Sequence, residues 1–80
     1  MITLRYWAAA KEAAGIGEEQ VLAESLQEAL DSARERHGKR LAAVLEVASL
    51  LVDGVRVTPD QHPPLADGAV VEVLPPFAGG

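Results

Sequence analysis

Residues 70–76 read VVEVLPP, and this stretch decides how the end of the chain folds. Residues 70–74 are rich in valine, whose β-branched side chain favours a strand. Pro75 and Pro76 then end the strand, because proline fixes φ and has no backbone N–H to donate to a sheet. The sequence therefore predicts a last strand over 70–74, from which the final residues project.

A second strand is predicted at the other end of the chain. Residues 2–7 read ITLRYW, and Ile2, Leu4 and Tyr6 recur at every second position, which places them on one face of a strand. Both terminal strands are strongly apolar. We therefore expect them to be neighbours at the centre of a sheet.

The middle of the chain carries helical patterns. Ser25 and Glu28 form a capping box, which starts a helix predicted over residues 26–37. The alanine-rich residues 8–14 favour a shorter helix by propensity. Residues 41–48 are ambiguous between a helix and a buried strand, and we favour the helix.

Turn signals divide the remaining residues. Asp53-Gly54 lies between two apolar runs, which is a strong signal for a hairpin. Residues 58–64 read TPDQHPP and are predicted to form a loop, because proline does not pair in a sheet interior. A short strand is also expected at about 20–23. Helices on one face of a mixed sheet make an α+β fold.

Length, charge and cysteine content exclude several classes of function. Eighty residues form one small domain, without room for a second lobe and a cleft between lobes. The chain has no cysteine and therefore no disulfide or thiolate metal site. Its net charge of −5 argues against a nucleic-acid partner, and no apolar run reaches the roughly 20 residues of a membrane span. We expect a cytoplasmic protein that binds neither nucleic acid nor membrane.

Few internal side chains suggest catalysis or metal binding. His37 and His62 are interpreted as structural, because two histidines without cysteine make a poor metal site. Four of the seven basic residues cluster near the end of the long helix: Arg34, Arg36, Lys39 and Arg40. This basic cluster either complements the helix dipole and pairs with nearby acids, or forms a docking patch for an acidic partner.

The last six residues carry the strongest functional signal. Residues 75–80 read PPFAGG and contain none of the charged side chains that usually keep a disordered tail solvated. We divide the chain into a domain over 1–74 and a flexible tail over 75–80, which reaches roughly 20 Å when extended. Such a tail can thread a narrow tunnel in another protein, since Gly79 and Gly80 lack a β-carbon. The terminal carboxylate of Gly80 is the candidate reactive group, because glycine leaves an activated carbonyl open to attack.

Both ends of the chain carry a resemblance to a known family. They read MITLRYWA and LADGAVVEVLPPFAGG, and between them lie an alanine-rich helix, a capped helix and the segment LLVDGV. Through these features the chain resembles the molybdopterin synthase small subunits, which are sulfur carriers of the ubiquitin-like β-grasp group. The resemblance covers the whole length. It implies a β-grasp fold, helices on one face of a mixed sheet and a projecting C-terminal tail.

The resemblance also implies a mechanism in which the chain donates sulfur and has no active site of its own. A partner of the ubiquitin-activating type uses ATP to adenylate Gly80, and delivered sulfur then gives a thiocarboxylate. The tail enters the large synthase subunit and donates sulfur to a cyclic pyranopterin precursor of the molybdenum cofactor. Gly79 is the companion of Gly80, and the chain itself binds no cofactor or metal.

The family presents an apolar docking surface around its tail. The candidates in this chain are Trp7, Leu74, Phe77 and Leu65. Trp7 is either a core residue or an interface anchor, since an exposed tryptophan on the outer face of the sheet suits a protein contact.

Two other kinds of function are compatible with the sequence. Other sulfur carriers of this group serve thiamine synthesis, cysteine synthesis or transfer-RNA thiolation, although the length and Pro75-Pro76 favour the molybdopterin branch. The chain is otherwise a ubiquitin-like protein modifier, in which Gly80 joins a lysine of a target, or a plain binding module.

Overall fold

The fold comes from a computed structural model that describes residues 1–61 and 63–76. Its strands are β1 (Ile2–Tyr6), β2 (Glu18–Val21), β3 (Ser49–Val52), β4 (Val55–Val57) and β5 (Val70–Leu74). Its helices are α1 (Ala9–Ala14), α2 (Leu26–His37) and α3 (Lys39–Val47), with a 3₁₀ turn at Pro59–Gln61. The helix predicted over residues 26–37 and the helical interpretation of residues 41–48 are therefore confirmed.

The five strands form one mixed sheet in the order β2-β1-β5-β3-β4. β1 and β5 are parallel neighbours, with Thr3 opposite Val70 and Tyr6 opposite Val73, whereas every other pair is antiparallel. The parallel pair confirms the prediction that the two terminal strands lie side by side. With the helices, this sheet confirms the α+β, β-grasp fold.

The core lies between one face of the sheet and the helices. The alternating residues Ile2, Leu4 and Tyr6 are at most 2% exposed, because each points to the inner face of β1. The inner stripe of α2 is also buried and comprises Leu26, Ala29, Leu30 and Ala33. Burial of each large aliphatic side chain contributes about 1.5–3 kcal/mol to folding.

The ends of α2 follow from its capping residues. The Ser25 Oγ accepts a hydrogen bond from the Glu28 backbone N–H at 3.2 Å, as the capping box predicts. Gly38 ends the helix with φ of 78°, and its N–H donates to the Arg34 carbonyl oxygen at 2.9 Å. A residue with a side chain adopts this φ at a cost, so glycine allows α3 to begin one residue after α2 ends.

Both ends of β2 and one loop differ from the sequence prediction, since β2 ends at Val21 rather than near residue 23. β2 begins at Glu18 rather than near residue 20, because Glu18 lies opposite Arg5 and extends the pairing with β1. The predicted loop over 58–64 contains the short 3₁₀ turn.

The hairpin at Asp53-Gly54 is confirmed between β3 and β4. Across the described ranges, no helix is long and apolar enough to cross a membrane.

Candidate functional site

The parallel pairing of β1 and β5 brings Trp7 and Leu74 to the same edge of the sheet. Tyr6 lies opposite Val73, so Trp7 and Leu74 follow at the next position of each strand. The Trp7 N–H donates to the Val73 carbonyl oxygen at 3.2 Å, which continues the ladder by one bond. Tyr6 and Val73 are buried, and side chains alternate between faces. Trp7 and Leu74 therefore lie on the outer side, and we call this pair the docking surface.

Trp7 is an exposed residue rather than a core residue. It is 45% exposed and lines a shallow groove with Ala8, Lys11 and Ile16. Ile16 is also 43% exposed, which extends the apolar area toward the loop before β2. Tryptophan combines a large apolar surface with an N–H donor, and both favour protein contacts. Of the two interpretations of Trp7, the exposed anchor agrees with this geometry.

The backbone is strained directly after Trp7. Ala8 has φ of 49° and ψ of −123°, a region that side chains adopt at a cost of about 1–3 kcal/mol. The turn is fixed on its far side by the Ala10 N–H, which donates to the Trp7 carbonyl oxygen at 3.0 Å. The pairing with β5 and the start of α1 thus hold the Trp7 backbone from both directions.

The start of the tail lies at this same edge. Pro75 is buried and Pro76 is exposed, so the chain leaves the sheet directly after Leu74. Three of the predicted site residues, Phe77, Gly79 and Gly80, lie outside the described residues, as does His62.

Leu65 lies at the opposite end of the sheet. Its N–H donates to the Glu24 carbonyl oxygen at 3.0 Å, and it lines a pocket with Met1 and Leu22. The length of β1, about 17 Å for five residues, separates this pocket from Trp7. The reason is topological: Leu65 precedes the start of β5, whereas Leu74 is its last residue. The structure therefore does not bring Leu65 to the docking surface.

Charged side chains cross the outer face next to the docking surface. The Arg5 guanidinium is 3.3 Å from a Glu18 carboxylate oxygen and 3.4 Å from one of Glu72. These partly exposed ion pairs contribute roughly 0–1 kcal/mol each. They give the middle of the outer face a polar character and so separate Trp7 from the exposed apolar residues near the other end of the sheet, Met1 and Leu22.

A partly buried polar cluster lies behind the docking surface, on the helix side. Glu19 accepts hydrogen bonds from the Tyr6 hydroxyl at 2.5 Å and from the Arg36 guanidinium at 3.3 Å. His37 Nε2 is also 2.5 Å from the Glu19 carboxylate, and its ring meets the Tyr6 ring edge-on with centroids 5.8 Å apart. We call these four residues the glutamate cluster. It ties the end of α2 to β1 and β2, and it gives His37 the structural role that the sequence predicted.

The glutamate cluster shifts two pKa values. Burial alone raises the pKa of Glu19, but hydrogen bonds from Tyr6, His37 and Arg36 outweigh burial and hold this pKa below its ordinary value. Burial, followed by the hydrogen bond to Glu19, raises the pKa of Tyr6 far above its ordinary value. Glu19 is therefore an anion and Tyr6 a neutral donor throughout the physiological pH range.

Replacement of Glu19 by Gln is expected to reduce the free energy of unfolding by about 2 kcal/mol at neutral pH, because hydrogen bonds to a charged group are lost. The folded-state pKa of Glu19 is depressed, so its contribution is complete above its unfolded value, near 4.5, and is lost as the pH falls through the folded value. The difference between wild type and Glu19→Gln should therefore shrink in acid. Urea unfolding of both proteins over a pH series measures this difference in the free energy of unfolding.

Glu35→Gln is the matched control for this prediction. Glu35 is exposed on α2 and has no ion pair or side-chain hydrogen bond within the part of the chain that the structure describes. Its replacement should change stability by no more than about 0.5 kcal/mol at any pH. An effect of Glu19→Gln that is equally large in acid would contradict the charge-assisted role of Glu19.

A sequence profile of the ThiS family matches residues 4–80, which is nearly the whole chain. Comparison with curated protein sequences gives no match.

Several solved structures share the fold over nearly their full length. Putative molybdopterin converting factor subunit 1 from Pyrococcus furiosus is 23% identical, with coverage of 95% of this chain and 97% of that one and a TM-score of 0.75. A complex of subunits 1 and 2 of molybdopterin-converting factor from Helicobacter pylori matches at 25% identity, with coverage of 99% and 97% and a TM-score of 0.75. The small archaeal modifier protein 1 from Methanosarcina acetivorans is 20% identical, with coverage of 99% and 95% and a TM-score of 0.83. Structural relatives thus include converting-factor subunits and a small modifier.

Proposed function

The chain belongs to the ThiS family, and from this membership we propose that Gly80 carries sulfur, as a thiocarboxylate, for the synthesis of molybdopterin. The family match and the fold confirm the resemblance to the small sulfur-carrier subunits of the ubiquitin-like β-grasp group. In the proposed reaction the tail donates this sulfur to a cyclic pyranopterin precursor. The chain supplies the reagent, and its partner supplies the acid–base groups.

One structural observation carries the proposal. The parallel pairing of β1 and β5 places the start of the tail at the edge where Trp7 is exposed and Leu74 is half-buried on the outer side. A partner that covers this docking surface therefore meets the tail at the same time. This arrangement supports a carrier whose domain docks while its terminal residues enter the partner.

The proposed chemistry needs ATP but no cofactor bound to this chain. The Gly80 carboxylate attacks the α-phosphorus of ATP on an adenylating partner, and pyrophosphate leaves. Hydrosulfide from the sulfur donor then attacks the acyl carbon and loses its proton. AMP departs with one of the carboxylate oxygens, and a thiocarboxylate remains. After the sulfur has been transferred, water restores the oxygen. We propose that this cycle runs in the cytoplasm, where ATP is available.

The main proposed partner is a large synthase subunit. The Helicobacter pylori structure, which contains subunits 1 and 2 together, supports a partner of this kind. Trp7 and Leu74 are the proposed contacts, with Phe77 as a further one beyond the described residues. Leu65 is not part of this proposed surface, because it lies at the other end of the sheet.

Intact-mass spectrometry tests the proposal. The chain is incubated with ATP, an adenylating partner and a sulfur donor, and it should gain the mass of one oxygen-to-sulfur exchange, located at Gly80 by fragmentation. This form, mixed with a large subunit and the pterin precursor, should then give dithiolene product. Lack of the mass change would refute the carrier function. Sulfur transfer only to a thiamine or cysteine precursor, or to transfer RNA, would assign the chain to another pathway.

A protein modifier is the second candidate. The TM-score of 0.83 with a small archaeal modifier protein favours it as an alternative, although a likeness at 20% identity shows the fold alone. The same incubation with a cell extract distinguishes the two functions. An isopeptide adduct between Gly80 and target lysines would support the modifier, whereas a free thiocarboxylate that is consumed by the large subunit supports the carrier.

A further inference from the structure

We propose that the basic cluster at the junction of α2 and α3 docks an acidic surface of the large subunit beside the entrance for the tail. The cluster consists of Arg34, Arg36, Lys39 and Arg40. This inference rests on the proposed function, because it concerns the partner that receives the tail. It adds a charged contact to the apolar contact that the docking surface makes with the same partner.

The basic cluster lies at the same end of the molecule as the start of the tail. α3, which begins with Lys39 and Arg40, packs against α1, the helix that starts two residues after Trp7. The adjacent His37 ring packs against Tyr6, which lies opposite Val73, one residue before the end of β5. Trp7 and Leu74 therefore occupy the sheet side of this end, and the basic cluster occupies its helix side.

Half of the basic cluster has no partner among the residues that the structure describes. Arg34 pairs with Asp31 at 3.0 Å and Arg36 pairs with Glu19, as expected for bases that complement the end of α2. Lys39 and Arg40 are exposed, and neither forms an ion pair or side-chain hydrogen bond with another described residue. These two charges are free to meet a second molecule.

The position of Lys39 and Arg40 opposes the dipole of their own helix. Both lie in the first turn of α3, which contains no acidic residue. The N-terminus of a helix carries partial positive charge, so cations there are unfavourable and acids are favourable. Both charges also lie directly after Gly38, the C-cap of α2, whose dipole favours cations, but no acidic side chain in the first turn of α3 neutralises them.

The charge distribution selects an acidic protein surface over a nucleic acid. Outside the basic cluster the chain has twelve acidic residues and only three basic ones. A long polyanion would be repelled by most of this surface, whereas a compact acidic patch can face the cluster alone. Screening limits such attraction to about 8–10 Å at ordinary salt, so a patch of this size is sufficient. Complementary charges then orient the chain with its tail toward the partner.

The test compares Lys39→Ala/Arg40→Ala with wild type in binding to the purified large subunit. At about 50 mM salt we expect roughly 10-fold weaker binding, and at about 500 mM salt a difference within about 2-fold, because screening removes the attraction. The control is Leu22→Glu/Ala66→Glu, which changes the net charge equally at exposed positions near the other end of the sheet. This control should bind within about 2-fold of wild type, since its charges lie more than a Debye length from the interface.

The outcomes of this test distinguish a failure of the proposed basic-cluster contact from a failure of the proposed function. Equal binding by wild type and the double variant, or an equal loss in the control, would overturn the role of the basic cluster alone. Lack of wild-type binding together with lack of the Gly80 mass change would refute the proposed function as well. Binding of a labelled single-stranded RNA that is lost in the double variant would overturn the proposal in favour of a nucleic-acid partner. Thermal unfolding of every variant should match wild type. Any change in affinity for the large subunit then arises from the interface and not from loss of the fold.

Discussion

Deletion of Gly80 is expected to abolish sulfur transfer while leaving the stability of the domain unchanged. The deletion moves the terminal carboxylate back by one residue, or about 3.3–3.6 Å of extended chain. Reacting atoms must approach within about 3–3.5 Å, and a misplacement of about 1 Å already costs roughly 100-fold in rate. We therefore expect at least a 1,000-fold loss, on the order of three factors of ten. The rate of dithiolene formation with the large subunit measures it.

Gly80→Ala is the matched control, because it keeps the length of the chain and adds only a β-carbon. If reach is decisive, Gly80→Ala should retain more activity than the deletion. If the open carbonyl is decisive, both variants should fail, since the side chain obstructs attack on the activated carbon. Thermal unfolding should be the same in all three proteins, because β5 ends at Leu74. A deletion variant that transfers sulfur at the wild-type rate would show that the Gly80 carboxylate does not carry the sulfur.

The elements that the sequence predicts well are those specified by neighbouring residues. The capping box of Ser25 and Glu28 acts over one helical turn, and α2 begins where this box places it. The alternation in residues 2–6 likewise determines which side chains of β1 face the core. Local patterns of this kind are independent of the rest of the fold, so they can be predicted before the topology is known.

Apart from the pairing of the two apolar terminal strands, contacts between distant segments were not predictable in this way. Glu19 meets Tyr6 and His37, which lie 13 and 18 residues away, only because β2 pairs with β1 and α2 packs across them. No spacing in the sequence signals this cluster. Leu65 is a second example: its position in the sequence suggests the docking surface, but the direction of β5 places it at the other end of the sheet. Composition indicates which residues can make a contact, whereas strand direction and register determine which ones do.

Replacement of Trp7 by Ala is expected to weaken binding to the large subunit by about 100-fold, which corresponds to about 2.7 kcal/mol. Trp7 is the largest exposed apolar side chain beside the start of the tail, and buried tryptophans are common hot spots of protein interfaces. The domain should remain folded, because the hydrogen bonds of Trp7 to Val73 and Ala10 use backbone atoms that alanine also has. Calorimetric titration measures the binding, and urea unfolding measures the stability.

Leu22→Ala separates a specific contact from a general loss of exposed apolar surface. Leu22 is 79% exposed, more than Trp7, but it lies with Leu65 at the opposite end of the sheet. It should bind within about 2-fold of wild type, since interface energy is concentrated in a few residues at the contact. The loss in Trp7→Ala should persist at about 500 mM salt, because apolar burial is not screened, whereas the loss in Lys39→Ala/Arg40→Ala should vanish there. If Trp7→Ala instead binds like wild type at both salt concentrations, the large subunit docks elsewhere, and proximity to the tail does not define its contact.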